Sequence, residues 1–127
     1  MLNDAINVTP LLKAFEKFEA FWPNQTTEQE RAGTVQAFEY CFELAWKMMK
    51  RLLAERGIVT HSPKETLRLS VMEGLIDTPE VWFDFLKKRN LTTHTYNELL
   101  MNEIIAICPC FSKKMMAFIE TIKQRGQ

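Results

Sequence analysis

The sequence predicts an all-α protein, an antiparallel four-helix-type bundle with additional short helices. Apolar residues recur at spacings of three and four along almost the whole chain, which is the period of an amphipathic helix. Valine, isoleucine and threonine are sparse and never alternate with polar residues over the length of a strand. Several stretches also contain the polar residues that typically begin a helix, so the helices can be placed in order.

The first predicted helix begins at Thr9-Pro10, with the threonine as N-cap and the proline in the first helical position. Its apolar stripe continues to Trp22, and Pro23 ends it. A long second helix begins at Thr27–Glu30, a capping box in which a hydroxyl and a carboxylate satisfy each other's backbone N–H groups. Gly57 is a suitable left-handed residue to end it. A helix of this length favours a bundle.

The Ser62–Glu65 stretch has the same capping pattern and begins a short helix that ends at Gly74. The Asp77–Glu80 stretch opens the next helix. Its predicted inward residues are Val81, Trp82, Phe83, Phe85 and Leu86, and its predicted outer residues are Glu80, Asp84, Lys87 and Lys88. Helical phase turns Arg89 and Asn90 toward the apolar side, where a guanidinium must find an anion or carbonyl groups.

A third capping pattern, Thr95–Glu98, predicts that a helix restarts there and leaves His94 in or beside a short loop. The expected apolar stripe is Tyr96, Leu100, Ile104 and Ile107. Pro109 should kink or break the chain, and a last amphipathic segment follows, with Phe111, Met115, Phe118, Ile119 and Ile122 on one face. We expect a single domain over residues 1–127.

Composition narrows the possible functions. The chain has 127 residues, with 16 lysines and arginines balanced by 16 acidic residues, so an RNA-binding role would need locally clustered cations. Its three cysteines form neither a disulfide framework nor a zinc site, and Cys41 is expected to pack as a small hydrophobe. A reducing cytoplasm fits this cysteine usage, and we expect neither secretion nor a membrane span.

The segment KKRNLTTHTY contains four side chains that suit phosphate chemistry. Arginine matches phosphate oxygens as a planar fork, and histidine can transfer a proton near neutral pH. Asparagine can hydrogen-bond, and a tyrosine hydroxyl can bond or accept a transferred group. Arg89, Asn90, His94 and Tyr96 are therefore the candidate site residues.

The spacing of Arg89 and His94 is weak evidence by itself, because Arg56 and His61 have the same spacing across an ordinary turn. A helix-loop-helix corner with a solvated His94 and Tyr96 as a core anchor is the simpler interpretation of the pattern. A two-fold dimer would favour the functional interpretation, because it would bring two arginine and histidine sets into one cleft.

Four stretches resemble a known family in matching order and spacing: FEYCFELAWKMMK at Phe38–Lys50, SPKE at Ser62, GLIDTPEVW at Gly74, and RNLTTHTY. They are similar to the nucleotidyltransferase substrate-binding subunits, which are all-helical proteins of the HEPN superfamily. The resemblance extends from about Arg31 to Tyr96 and more loosely over both ends. It implies a homodimer that acts with a separate minimal nucleotidyltransferase chain.

The resemblance also assigns roles. In many HEPN proteins an arginine and a histidine four to six residues later form a metal-independent ribonuclease site at the dimer interface, which maps onto Arg89 and His94 and needs no cofactor. Asn90 takes the polar position that often follows the arginine. In the toxin-type relatives the partner adenylylates the tyrosine that corresponds to Tyr96, and this silences the ribonuclease.

Three interpretations stay open at this stage. The chain is a substrate-binding subunit that holds a nucleotide, RNA or acceptor for its nucleotidyltransferase partner; alternatively it is a ribonuclease toxin neutralised by adenylylation of Tyr96; or it is a helical interaction protein. Glu39 is a further candidate that could contact Arg89 or the ligand, whereas Glu43 is expected to pair with Lys47 one turn later.

Overall fold

The computed structural model describes residues 6–94 and 97–125, which form six α-helices and two one-turn 3-10 helices and contain no β-strand. The α-helices are α1 (Thr9–Phe21), α2 (Glu28–Glu55), α3 (Pro63–Met72), α4 (Pro79–Asn90), α5 (Glu98–Ala106) and α6 (Cys108–Arg125). The 3-10 helices are Trp22–Asn24 and Thr92–His94. The predicted all-α bundle is confirmed. Over the described ranges, no helix combines the length and apolar character needed to cross a membrane.

The start of α2 is the predicted capping box. The backbone N–H of Glu30 donates to the Thr27 hydroxyl at 3.0 Å, and the Glu30 carboxylate accepts from the backbone N–H of Thr27 at 2.9 Å. The same carboxylate also accepts from the backbone N–H and the hydroxyl of Thr26. These bonds, with the Thr26 backbone bond the largest cause, lower the pKa of Glu30 from 4.5 to about 2.

Two other helix starts differ from the prediction. Thr9 is the first residue of α1 and not its cap, because the residue before it already has helical backbone angles and its carbonyl accepts from the backbone N–H of Leu12 at 3.0 Å. The side chain of Asn7 accepts from the Thr9 backbone N–H at 3.1 Å. Asn97, rather than Thr95, caps α5, because its side-chain oxygen accepts from the backbone N–H groups of two first-turn residues at 2.9 and 3.3 Å. Thr95 itself lies outside the described residues.

The predicted helix ends are confirmed at two glycines. Gly57 and Gly74 have φ angles of 79° and 77°, in the left-handed region that glycine enters without strain. After Gly57, the backbone N–H of Ile58 bonds to the carbonyl of Leu53 at 3.0 Å and closes the end of α2. The helix is interrupted near Pro109 as predicted, since α5 ends at Ala106 and α6 begins at Cys108, the residue before the proline.

Aromatic side chains hold four helices together. The ring of Phe111 on α6 is fully buried, and its centroid lies 4.8 to 6.5 Å from five other ring centroids on α1, α2 and α4, those of Phe18, Phe38, Phe42, Trp82 and Phe85. Cys41 and Cys108 are buried in the same core, and burial raises the pKa of both thiols to about 12. The prediction that Cys41 packs as a small hydrophobe is confirmed.

The outer face of α4 is narrower than predicted. Lys88 was expected to share the solvent side with Lys87, but its side chain is only 13% exposed. Its ammonium donates to Asp84 at 3.0 Å and lies 3.9 Å from the carboxylate of Glu103 on α5. Because α5 packs beside α4, the two carboxylates hold Lys88 between the helices, a contact that helical phase alone does not reveal.

Candidate functional site

Arg89 lies in the last turn of α4, with its side chain 28% exposed. Its Nη2 donates to a carboxylate oxygen of Glu43 on α2. The guanidinium therefore finds the anion that its position near the apolar side required. Nη1 donates to the side chain of Asn90 at 3.2 Å, whereas Nε is buried and donates to no described residue.

Glu43, and not Glu39, is the carboxylate that contacts Arg89. The structure therefore corrects the predicted contact by one helical turn along α2. The expected pair between Glu43 and Lys47 also forms, with the ammonium 3.7 Å from the second carboxylate oxygen. A single carboxylate thus faces two cations, while Glu39 remains on the wall of the adjacent groove. The sequence signal for Glu43 is its place on the same helical face as Glu39, one turn nearer the C-terminus.

Asn90 is exposed, which corrects its predicted position on the apolar side. The buried stripe of α4 consists of Trp82 and Phe85, and Arg89 continues it after one further turn. Asn90 lies one turn after Leu86, which is only half-buried, and it is the last residue of α4. No neighbouring element of the described ranges covers its side chain. It remains close to the site through its hydrogen bond with Arg89.

His94 ends the 3-10 helix that follows α4, and its side chain is exposed. Backbone bonds define this turn: the N–H of His94 donates to Leu91, and the N–H of Asn97 donates to His94, both at 2.9 Å. The buried hydroxyl of Thr92 donates to the carbonyl of Arg89 at 2.7 Å. Arg89 and His94 are therefore joined through one ordered turn. Tyr96, the predicted modification site, lies outside the described residues.

A groove of about 680 Å³ lies between α1 and α2 and includes Arg89 of α4 in its lining. Glu39, Tyr40 and Glu43 line it along α2, and Lys17 lines it on α1. The two carboxylates can accept hydrogen bonds, and the lysine and arginine can bind phosphate. Alanine and aromatic side chains also line it, so the arrangement suits a ligand that combines a phosphate with an apolar or aromatic part.

Arg56 and His61 have the same spacing as Arg89 and His94, but their contacts are local and structural. Arg56 donates to both the backbone carbonyl and the carboxylate of Glu73, at 2.8 and 3.0 Å, and so connects the ends of α2 and α3. His61 is exposed, and its backbone N–H donates to the Glu65 side chain. Among the residues that the structure describes, no group of three or more His, Cys, Asp or Glu side chains could hold a metal ion.

Residues 5–124 match the family described as nucleotidyltransferase substrate binding protein like. A Haemophilus influenzae (strain Rd) protein named probable ribonuclease HepT is 30% identical over 144 aligned positions, which cover 100% of this chain and 99% of that protein. The match covers this chain from end to end and 99% of the relative, and is therefore not confined to the motif around Arg89.

Solved structures with the same fold include a Thermus thermophilus protein, with a TM-score of 0.84, 29% identity, and coverage of 88% of this chain and 98% of its own. A Haemophilus influenzae protein, described as revealing the fold of a substrate binding domain of a nucleotidyltransferase, has a TM-score of 0.82, 28% identity, and coverage of 92% and 99%. A tri-AMPylated HEPN toxin from Shewanella oneidensis, solved with its MNT antitoxin, has a TM-score of 0.78 and coverage of 97% of this chain and 99% of its own. At 14% identity it supports the fold alone.

Proposed function

The chain belongs to the nucleotidyltransferase substrate-binding family, and we propose that it is a metal-independent endoribonuclease controlled by a separate nucleotidyltransferase. The observation that carries the proposal is the state of Arg89, whose guanidinium is oriented by Glu43, is partly exposed, and lines the groove between α1 and α2. Positioned donors of this kind stabilise charge that develops on a phosphate. The name of the 30% identical relative, probable ribonuclease, supports the same chemistry.

In the proposed reaction, the 2′-hydroxyl of a ribose attacks the adjacent phosphorus. The new bond joins the 2′-oxygen to phosphorus, and the bond from phosphorus to the 5′-oxygen of the next nucleotide breaks, which leaves a 2′,3′-cyclic phosphate and a 5′-hydroxyl. His94 accepts or returns a proton, and Arg89 stabilises the charge on the phosphate oxygens. Asn90 holds the guanidinium through its side-chain oxygen.

A homodimer completes this chemistry. Cleavage needs one group to remove the 2′ proton and another to protonate the leaving oxygen, and one chain offers a single histidine at the site. A two-fold axis beside the turn at Thr92–His94 would place a second histidine in the same cleft. We therefore expect the active species to be a dimer, with a composite site.

The partner would act through Tyr96. The tyrosine oxygen bonds to the α-phosphorus of ATP, pyrophosphate leaves, and the hydroxyl proton is lost. The transferred AMP adds a phosphate charge and a bulky nucleoside two residues after His94, where both would compete with RNA for the cations. The structure of the Shewanella toxin with its antitoxin, although it supports only the fold, contains this kind of modification. Incubation of the chain with its neighbouring nucleotidyltransferase and ATP should add the mass of AMP at Tyr96 and abolish cleavage.

The decisive experiment is RNA cleavage in EDTA by the wild type, Arg89→Ala and His94→Ala, with His61→Ala as the matched control. We expect the wild type and His61→Ala to cleave equally and the other two variants to lose at least about a hundredfold in rate, the usual contribution of a general acid or base. Intact RNA with the wild type, or equal cleavage by His94→Ala, would refute the ribonuclease.

A second candidate function is substrate binding for a nucleotidyltransferase, as the description of the family says. The groove beside Arg89 would hold a nucleotide or another acceptor while the partner chain transfers the nucleotidyl group. This function predicts a stable complex with the nucleotidyltransferase and no RNA cleavage by either the wild type or the complex. The cleavage experiment in EDTA therefore separates the two candidates.

A further inference from the structure

We propose that the groove between α1 and α2 is a base-selective nucleotide subsite, which holds the nucleotide next to the cleaved bond and prefers a base that carries an exocyclic amino group. The subsite rests on the RNA cleavage proposed above, because Arg89 is shared by both. Its lining, however, comes mainly from α1 and α2, outside the turn that contains His94.

Small residues line the groove on both α1 and α2. Ala14 lines it on α1, and Gly33 and Ala37 line it on α2. At Gly33 the two elements approach so closely that a Cβ would lie 2.5 Å from a ring carbon of Phe21. The remaining space, about 680 Å³, falls within the range of about 300 to 1,000 Å³ typical of small-ligand sites.

Tyr40 provides a platform for a base. Its side chain is 57% exposed, whereas every phenylalanine and tryptophan in the described ranges is buried or half-buried. More than half of this side chain is therefore accessible to a ligand in the groove. Single-stranded RNA is commonly recognised by stacking of unpaired bases on such rings, a contact worth about 1 to 3 kcal/mol per base.

Two cations on the groove wall suit the phosphates on either side of that base. Lys17 lies on α1 and is exposed, and Arg89 lies on α4 with its guanidinium oriented by Glu43. In the proposed arrangement the scissile phosphate binds Arg89, and Lys17 is the second cation of the same groove that is available to the next phosphate. Phosphate contacts of this kind orient the strand without reading its sequence.

Glu39 supplies the selectivity. A carboxylate accepts hydrogen bonds and donates none, so next to polyanionic RNA it is repulsive unless a base offers it N–H donors. Adenine, guanine and cytosine carry an exocyclic amino group, whereas uracil presents carbonyl oxygens on both sides of its one donor. Uracil should therefore be the poorest occupant, and Glu39→Gln should remove the penalty because an amide can both donate and accept.

The subsite can be measured without cleavage. The probes are fluorescein-labelled 2′-fluoro oligoadenylate and oligouridylate, which lack the attacking hydroxyl, and the readout is fluorescence anisotropy with the wild-type protein. Tyr40→Ala and Lys17→Ala should each weaken oligoadenylate binding about tenfold. Tyr40→Phe should retain the affinity, and Lys64→Ala, an exposed lysine on α3 that does not line the groove, should bind like the wild type.

Selectivity is read from the ratio of the two affinities. The wild type should bind oligoadenylate more tightly than oligouridylate, and Glu39→Gln should reduce that preference by about fivefold or more while leaving the affinity for oligoadenylate within about twofold. A preference that Glu39→Gln leaves unchanged would refute the assignment, since adenine stacks more strongly than uracil on any aromatic surface.

The outcome is separable from that of the catalytic proposal. Unchanged oligoadenylate affinity in both Tyr40→Ala and Lys17→Ala overturns the subsite even if the wild type cleaves RNA. Lost oligoadenylate affinity in those two variants supports it even if cleavage is absent, because the probes cannot react. Light scattering of Tyr40→Ala gives the remaining control: a change from dimer to monomer would assign Tyr40 to the subunit contact and overturn the subsite.

Discussion

Removal of the Glu43 carboxylate should destabilise the protein through Arg89, whereas removal of the Glu39 carboxylate should not. The two glutamates lie one turn apart on α2, and only Glu43 accepts a hydrogen bond from the guanidinium. Glu39→Ala is therefore a matched control of the same chemistry, the same helix and a similar degree of burial. The comparison isolates the contact from the general effect of deleting a charge.

The expected magnitude follows from exposure. Fully exposed ion pairs contribute about 0.2 to 1 kcal/mol, and hydrogen bonds to charged groups about 1.5 to 3 kcal/mol. The side chains of Arg89 and Glu43 are 28% and 25% exposed, so solvent still screens the pair. We expect a coupling free energy of about 1 to 2 kcal/mol between them. For Arg89 and Glu39 the coupling should be close to zero.

The assay is a double-mutant cycle measured by urea unfolding at fixed ionic strength. It uses the wild type, Arg89→Ala, Glu43→Ala and the double variant, followed by the same cycle with Glu39→Ala. The cycle cancels the contact between Glu43 and Lys47, because that contact is lost equally with and without Arg89. A coupling below about 0.5 kcal/mol for Arg89 and Glu43, or equal couplings in the two cycles, would refute the assignment.

Two further predictions concern the fold. Phe111→Ala should lower the free energy of unfolding by about 4 kcal/mol, because the ring is fully buried among five others. Phe83→Ala, at a half-buried position, should lower it by less than half as much. Equal losses of the two variants in urea unfolding would contradict the central role of Phe111. The depressed pKa of Glu30 predicts that its contribution to stability is complete above pH 4.5, where both the folded and unfolded states are ionised, and is lost as pH falls toward about 2, where the folded state is protonated as well. As the pH falls across this range, the free energy of unfolding of the wild type should therefore approach that of Glu30→Gln. The free energy of unfolding of Glu28→Gln should instead keep a constant difference from that of the wild type.

The sequence by itself determined the parts of the structure that depend on near neighbours. The capping box at Thr27 and Glu30 and the left-handed turn at Gly57 formed where they were predicted, because each involves contacts within a few residues. The buried stripe of α6 was also predicted correctly from the sequence, since helical periodicity determines which residues share a face. The caps of α1 and α5 were predicted one and two residues away from their positions, because several adjacent residues can begin a helix.

Only the tertiary structure decided which side chains meet across helices. Helical phase turned Arg89 toward the apolar side of α4, but it could not choose between Glu39 and Glu43, because phase specifies a face and not a height along the neighbouring helix. That height depends on how α4 packs against α2, through contacts such as that of Phe42 with Trp82. The groove beside Arg89 has the same origin. It is lined by residues of two helices that come together only after packing, so its volume and its lining belong to the fold and not to any one segment.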